Sequence, residues 1–294
     1  MPGFPIAKRT KRVLLGLIGS PISHSAAPAM HEAAARAAGM DLHYHLIEVA
    51  GAGSDDLVAM LDGVRRLGFS GVNVTFPYKE AIIPLLDALS PEAAAMGAVN
   101  TVVARDGRLT GHNTDATGFA TAYRAMQRQD SDRPVAIIGT GGVGKAIGFA
   151  LASCGVTNLR LFDVDRAKAQ ALADQLGRSA SVEIAVSVED AVTGAAGIVN
   201  GTPIGMLPNR DNPVPAGLIQ PSQWVADAVY HPLWTPLLIA ARNAGATVMT
   251  GRELSINQAV DAFALFTGVA PAHGAIAEAF DQALAAQETK DHAA

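Results

Sequence analysis

The chain has 294 residues, 49% of them hydrophobic, which is enough for two compact domains, each with its own core. Charged residues make up 17% and the formal net charge is −5, which argues against a nucleic-acid polyanion as the main partner. A single cysteine, Cys154, excludes an intramolecular disulfide, and no window approaches the ~20 apolar residues of a membrane span.

From the N-terminus, Lys8, Arg9, Lys11 and Arg12 precede VLLGLIG, a pairing that imitates a signal peptide. The apolar run is short for that purpose and reads as a buried strand, so cytoplasmic residence is expected. PAMHEAAARAAG reads as a helix ended by Gly39, and LHYHLIEV alternates as a strand. Ser54 and Asp55 offer caps for the helix DDLVAMLDGVRRLG. FSGVNVTF is a strand, EAIIPLLDAL a helix, and Ser90-Pro91-Glu92 starts another helix with Pro in its first position. VNTVVARDGRLTGHN predicts a hairpin turned at Asp106-Gly107. Helix ATGFATAYRAMQR and the polar stretch RQDSDRP then lead into the strands VAIIG, NLRLFD, VEIAV, GIVNGT, WVADAVY and TVMT, which alternate with helices. The tail from Arg252 reads as helical, with ETKDHAA disordered. The expected fold class is therefore α/β: an N-terminal α/β domain with a mostly parallel sheet, then a doubly wound Rossmann-type domain.

Gly139-Thr140-Gly141-Gly142-Val143-Gly144 is a G-x-G-x-x-G placed directly after a strand and directly before a helix. The first glycine permits the turn, the second lets the backbone approach a pyrophosphate, and the third lets helix and strand pack closely. The helix start then presents N–H groups to phosphates. Asp163 ends the next strand, where a carboxylate accepts hydrogen bonds from ribose hydroxyls and repels a 2′-phosphate. NAD is thus expected over NADP, although Arg166 and Lys168 lie just beyond. A helix N-cap is the plainer reading of Asp163. The eight histidines show no metal-ligand spacing, so no metal is expected.

Four segments place polar groups at strand ends: Gly19–Ser25, Asn73–Lys79, Gly97–Thr101 and Gly111–Asp115. Together with GTGGVG, NGTPIGM, DAVYHPLWTPLL and INQAVDAF, they resemble the shikimate dehydrogenase family, including its quinate/shikimate branch, over nearly the whole chain. The resemblance implies a substrate domain from residues 1–115 with 252–294 and a cofactor domain from 116–251. It implies Lys79 and Asp115 as the catalytic pair, and Asn100, Asp115 and Gln258 on the ring hydroxyls. Ser25 and Thr75 would lie on the substrate carboxylate, with Tyr230 nearby. Asn200, Thr202, Pro203, Gly205 and Met206 would line the nicotinamide side, and Gly251 would join the cofactor set. The substrate would be a small ring carboxylic acid, with a homodimer left open. Each residue also has a plainer reading: Lys79 a solvated lysine, Asp115 or Thr114 a helix cap, Asn100 a turn residue, Tyr230 a packed aromatic.

The family usually reads Ser-x-Ser-Pro or Ser-x-Thr-Pro where this chain has Ser25-Ala26-Ala27-Pro28. A hydroxyl expected on the substrate carboxylate is missing at Ala27. Weaker binding of shikimate, or a preference for quinate, an aminoshikimate or another ring acid, is the consequence. A silent ring-acid or nucleotide sensor and a methylene-tetrahydrofolate dehydrogenase are the competing readings. Retention of Lys79 and Asp115 speaks against the first, and the paired NVTFPYK and GHNTD segments speak against the second.

Overall fold

The computed structural model describes residues 12–126 and 132–291. Its first sheet is built from β1 (Val13–Gly19), β2 (Leu42–Glu48), β3 (Gly71–Val74), β4 (Ala88–Leu89), β5 (Thr101–Arg105) and β6 (Arg108–His112), in the order β2-β1-β3-β5-β6-β4. VLLGLIG is thus an inner strand, with Leu15 and Ile18 fully buried. Parallel pairing joins β1 to β2 and β3, and β4 to β6. The hairpin β5–β6 and its pairing with β3 are antiparallel. Asp106 (φ 51°) and Gly107 (φ 74°) both adopt the left-handed backbone that a two-residue hairpin turn needs.

Helices α1 (Ala27–Ala37), α2 (Ser54–Arg66) and α3 (Pro91–Met96) fall in this half, and α4 (Thr114–Ala125) leads out of it. The expected helix over EAIIPLLDAL does not form. Only a 3-10 turn, Ile83–Leu85, is present, followed by β4. Pro84 lacks an N–H, and Asp87 is drawn to the sheet, where its Oδ2 accepts from Leu109 N at 2.7 Å and its N–H donates to Leu109 O at 3.0 Å. The start of α2 also differs: Gly53 is the N-cap, and Asp56 reaches back to Gly53 N at 2.9 Å.

The second sheet has β7 (Val135–Ile138), β8 (Asn158–Phe162), β9 (Ser181–Ile184), β10 (Gly197–Asn200), β11 (Trp224–Asp227) and β12 (Thr247–Met249), in the order β12-β11-β10-β7-β8-β9. Every pairing in it is parallel. This is the doubly wound order, with its switch point between β7 and β10. Helices α5 (Gly142–Ser153), α6 (Arg166–Leu176), α7 (Val188–Val192) and α8 (Pro236–Asn243) cross over it. Cys154 follows α5 and is half-buried.

The chain returns through α9 (Gly251–Thr267) and α10 (His273–Asp291) to the first half. Ile256, Ala259 and Phe263 of α9 pack with Met30 and Ala34 of α1 and with Ile276 and Phe280 of α10. α4 packs along α9, with Gly118 against the Gln258 backbone, while its Phe119 and Tyr123 share a core with Ile137, Ile147 and Leu151. The segment ETKDHAA is helical through Asp291, which corrects the expectation of disorder there. Residues 292–294 lie outside the described residues, as do residues 1–11, with Lys8, Arg9 and Lys11, and residues 127–131, which hold the end of ATGFATAYRAMQR and the first part of RQDSDRP.

One buried histidine sets an acid limit on the fold. His31 of α1 is 0% exposed, stacks on Tyr44 at 4.9 Å, and has no hydrogen-bond partner on either ring nitrogen. Burial lowers its pKa to about 3. The unfolded chain takes up this proton below about pH 6.5 and the folded chain does not, so stability falls by about 1.4 kcal/mol per pH unit between 6.5 and 3. Urea unfolding at pH 7 and pH 4.5 should show His31→Leu losing about 2 to 3 kcal/mol less than the unaltered protein across that step. Equal losses would remove His31 as a cause.

Candidate active site

The site forms where β1, β3 and β6 end and α1 and α4 begin, facing the turn after β7. The residues after β3 are pinned by backbone bonds: Thr75 N donates to Ile18 O at 2.9 Å and Val99 N donates to Lys79 O at 2.8 Å. Tyr78 is 3% exposed, and its hydroxyl donates to Val49 O at 2.5 Å while accepting from Ala52 N at 2.9 Å. This buried anchor fixes the direction of the next residue, Lys79.

Lys79 Nζ donates to Asp115 Oδ2 at 2.6 Å, and the two residues are only 9% and 6% exposed. The N-cap of α4 is neither Thr114 nor Asp115. It is Asn113, whose side-chain oxygen accepts from Ala116 N at 3.2 Å. Asp115 therefore sits in the first turn with its carboxylate available to Lys79, and the helix start favours its negative charge. A Cβ built on Gly142 would stand 3.4 Å from Lys79 Cδ, so the lysine stem lies against the glycine turn. Beside it, Lys145 of α5 donates to Glu80 Oε1 at 2.7 Å across the same cleft.

Asn100, 3% exposed, adjoins this pair through Thr114. Its Oδ1 accepts from Thr114 N at 2.7 Å and Thr101 Oγ1 at 3.0 Å, and its Nδ2 donates to Thr114 Oγ1 at 3.0 Å. Gln258 comes over from α9: its Oε1 lies 3.4 Å from Thr114 Oγ1, and its Nε2 donates to Ser255 O at 3.0 Å. This approach needs Gly118, where any Cβ would collide with the Gln258 backbone nitrogen. Behind Asn100 runs a buried support that sequence reasoning passed over. Tyr44 Oη donates to Asn73 Oδ1 at 2.8 Å, and Asn73 Nδ2 donates to Asn100 O at 3.2 Å and to Thr101 Oγ1 at 3.0 Å. Asn73 and Thr101 lie inside the segments already singled out. Their pairing is the part that no local signal carried.

Ser25 and Tyr230 also meet. Burial raises the Tyr230 hydroxyl pKa, while hydrogen bonds with the Ser25 side chain and the Ala26 backbone oppose the shift. Thr75 is half-buried, with its methyl against Gly19. Ala27 opens α1, a helix with no side-chain cap.

The glycine turn has the shape a pyrophosphate requires. Gly139 has φ +88°, and a Cβ on Gly144 would strike the Gly139 carbonyl oxygen. Nothing lies within 4 Å of a Cβ position on Gly141, which leaves the start of α5 open. Val143 and Gly142 are half-buried at that start. Asp163 is not the cap of α6; that is Asp165, whose side chain accepts from Ala167 N at 3.1 Å. Asp163 is tied into the turn itself. Its Oδ2 accepts from Thr140 N at 2.7 Å and Thr140 Oγ1 at 2.9 Å, and its Oδ1 accepts from Asp165 N at 2.9 Å.

Thr202 lies against Gly139, with Pro203 and Met206 exposed beyond it and Gly205 buried. Asn200 departs from the expectation that it lines the nicotinamide side. It is 0% exposed, its Oδ1 accepts from Thr202 N and Oγ1, and its Nδ2 donates to Ile204 O and Asp227 Oδ1. With its amide used up inside the protein, it shapes the loop that Thr202 presents. Gly251 is likewise buried, pressed against the Val229 carbonyl where α9 starts. Among the described residues no cluster of His, Cys, Asp and Glu is arranged to hold a metal.

The doubly wound sheet, the open glycine turn and a buried Lys–Asp pair against that turn define an α/β dinucleotide-binding dehydrogenase. The model for the shikimate dehydrogenase substrate binding domain matches residues 17–102, and that for the ornithine cyclodeaminase/mu-crystallin family matches residues 95–210. A quinate/shikimate dehydrogenase (NAD(+)) of Corynebacterium efficiens is 46% identical, covering 88% of this chain and 94% of its own. The structure of a quinate dehydrogenase from Corynebacterium glutamicum in complex with NAD superposes with a TM-score of 0.85 at 40% identity, over 92% of this chain and 99% of that one. A shikimate 5-dehydrogenase from Thermus thermophilus, in complex with NADP(H) and shikimate, gives a TM-score of 0.83 at 36% identity, over 92% and 100%. The chain belongs to the shikimate dehydrogenase family.

Proposed function

We propose that this protein interconverts a ring alcohol and its ketone on a small cyclic carboxylic acid, shikimate with 3-dehydroshikimate or quinate with 3-dehydroquinate, using NAD in preference to NADP. The observation that carries this is the buried 2.6 Å Lys79–Asp115 pair, set against a glycine turn open to a dinucleotide. Oxidising a secondary alcohol removes a hydride from carbon and a proton from oxygen, and the nicotinamide, when bound, supplies the hydride acceptor. Lys79, in its neutral amine form, takes the hydroxyl proton on Nζ and becomes the ammonium that pairs with Asp115, which orients both the lysine and the hydroxyl. Asn100 is held with its carbonyl oxygen occupied, which turns a remaining Nδ2 hydrogen towards a ring hydroxyl. Gln258 closes the same pocket from α9. Ser25, Thr75 and Tyr230 take the carboxylate end.

Asp163 supports NAD because a carboxylate beside the turn repels a 2′-phosphate. Residues 1–115 with 252–294 form the substrate domain in this reading, and 116–251 the cofactor domain. The two separate six-stranded sheets support the division, and α4 and α9 pack on each other where the two halves join. Cytoplasmic residence is proposed on the single cysteine. Among the described residues no helix is long and apolar enough to cross a membrane.

Initial rates at 340 nm, crossing shikimate and quinate with NAD and NADP, test the function. Fast turnover of either acid with NAD supports it, and no turnover with any of the four pairs overturns it. Ala27→Ser should lower the shikimate KM about tenfold, because one hydrogen bond to a charged group contributes ~1.5–3 kcal/mol. An unchanged KM in that variant would show that Ala27 does not weaken shikimate binding.

A further inference from the structure

Asp227 ends β11 and is 2% exposed, yet its carboxylate serves donors from two separate loops. Its Oδ1 accepts from Asn200 Nδ2 at 2.9 Å and from Val229 N at 2.9 Å, and its Oδ2 accepts from Thr235 Oγ1 at 2.6 Å. The Asn200 amide has one workable orientation, since turning it over would set its oxygen against the carboxylate. From Asn200 the bonds run outwards: Thr202 N and Oγ1 donate to its Oδ1 at 3.0 and 2.6 Å, and Ile204 N donates to Thr202 Oγ1 at 3.1 Å. Thr202 in turn packs on Gly139, the first glycine of the dinucleotide turn. From Val229 and Thr235 the bonds run the other way, into the loop that carries Tyr230 to Ser25. Thr235 also caps α8 by accepting from Leu238 N at 3.3 Å.

Burial pushes the Asp227 carboxyl up to about 6, against the pull of the Thr235, Val229 and Asn200 bonds. Burying an acid is costly, and either loop alone would be satisfied by a neutral acceptor. Three donors converging from two loops need a group that only accepts, on two oxygens at once.

We propose that Asp227 is a positioning residue: it sets the loop after β10 against the loop after β11, so that the dinucleotide turn and the ring-acid contacts keep one separation. This rests on the dehydrogenase reading above. It assigns Asp227 no contact with either substrate.

Asp227→Ala and Asp227→Asn test it. Each variant is read by the NAD dissociation constant without ring acid, by ring-acid KM and kcat, and by the folded fraction. The alanine variant should raise both the NAD Kd and the ring-acid KM by about tenfold or more per folded molecule. The asparagine variant keeps an acceptor for Asn200 and Val229 but sets an amide against Thr235. Its NAD Kd should stay within about threefold while the ring-acid KM rises alone. Thr235→Val, which breaks the same arm, should reproduce that split and stands in if the alanine variant does not fold. A purely structural role would lower only the folded fraction. Unchanged constants in folded variants, or equal shifts of both constants in the asparagine variant, would overturn the proposal. If the unaltered protein turns over no ring acid, the NAD titration still reads the Asn200 arm, which keeps the two failures apart.

Discussion

Lys79→Met should lower kcat by roughly 10²- to 10⁴-fold, the span that a positioned acid or base contributes, while leaving the NAD Kd within about threefold. Methionine keeps the unbranched stem that lies against Gly142 and removes only the ammonium. Taking one partner from a buried ion pair ordinarily destabilises by ~3–5 kcal/mol. Here Asp115 occupies the first turn of α4, where the helix start stabilises a lone carboxylate by up to ~2 kcal/mol. The variant should therefore fold, with a lowered unfolding midpoint, and its loss of turnover should exceed its loss of folded protein. Lys79→Arg should restore stability without restoring rate, because a guanidinium does not give up its proton. Turnover of the methionine variant within tenfold of the unaltered protein would remove Lys79 as the proton acceptor.

Position alone put polar groups, Lys79 and Asp115 among them, at strand ends; their pairing was what the family resemblance implied, and the structure brings the two side chains together. The glycine turn and the Asp106-Gly107 hairpin were legible because their chemistry is local. Two local readings failed where a long-range contact outweighed a short-range preference. EAIIPLLDAL has helical spacing, but Asp87 finds Leu109 on β6, and Pro84 removes a helical donor. Asn113, Thr114 and Asp115 are all good N-caps, and only the fold shows that the first of them takes the task. Asn73 went unassigned because its partners lie 27 to 29 residues away, and Asp227 because the Asn200 amide that joins it to β10 lies 27 residues away, although Val229 and Thr235 are near in sequence. The type of residue hints at burial with partners, but nothing in the spacing says which.

Asp163→Ser, the obvious exchange for admitting a 2′-phosphate, should weaken NAD binding by about ten- to a hundredfold and yield little affinity for NADP. The carboxylate is usually regarded as a gate, and removing its charge removes a repulsion. In this chain it also accepts both the N–H and the hydroxyl of Thr140, a residue 0% exposed. Serine is too short to hold both, and each buried group left unmade costs ~1–3 kcal/mol. That loss falls on the turn itself, between Gly139 and Gly141, where either cofactor must place its pyrophosphate. Thr140→Ala, made in the Asp163→Ser background, removes one of the two orphaned groups and should cost little there. In the unaltered protein the same change should weaken NAD, and the difference measures the coupling. A serine variant that binds NADP as tightly as the unaltered protein binds NAD would show that Asp163 acts on the 2′ position alone and that the turn holds its shape without it.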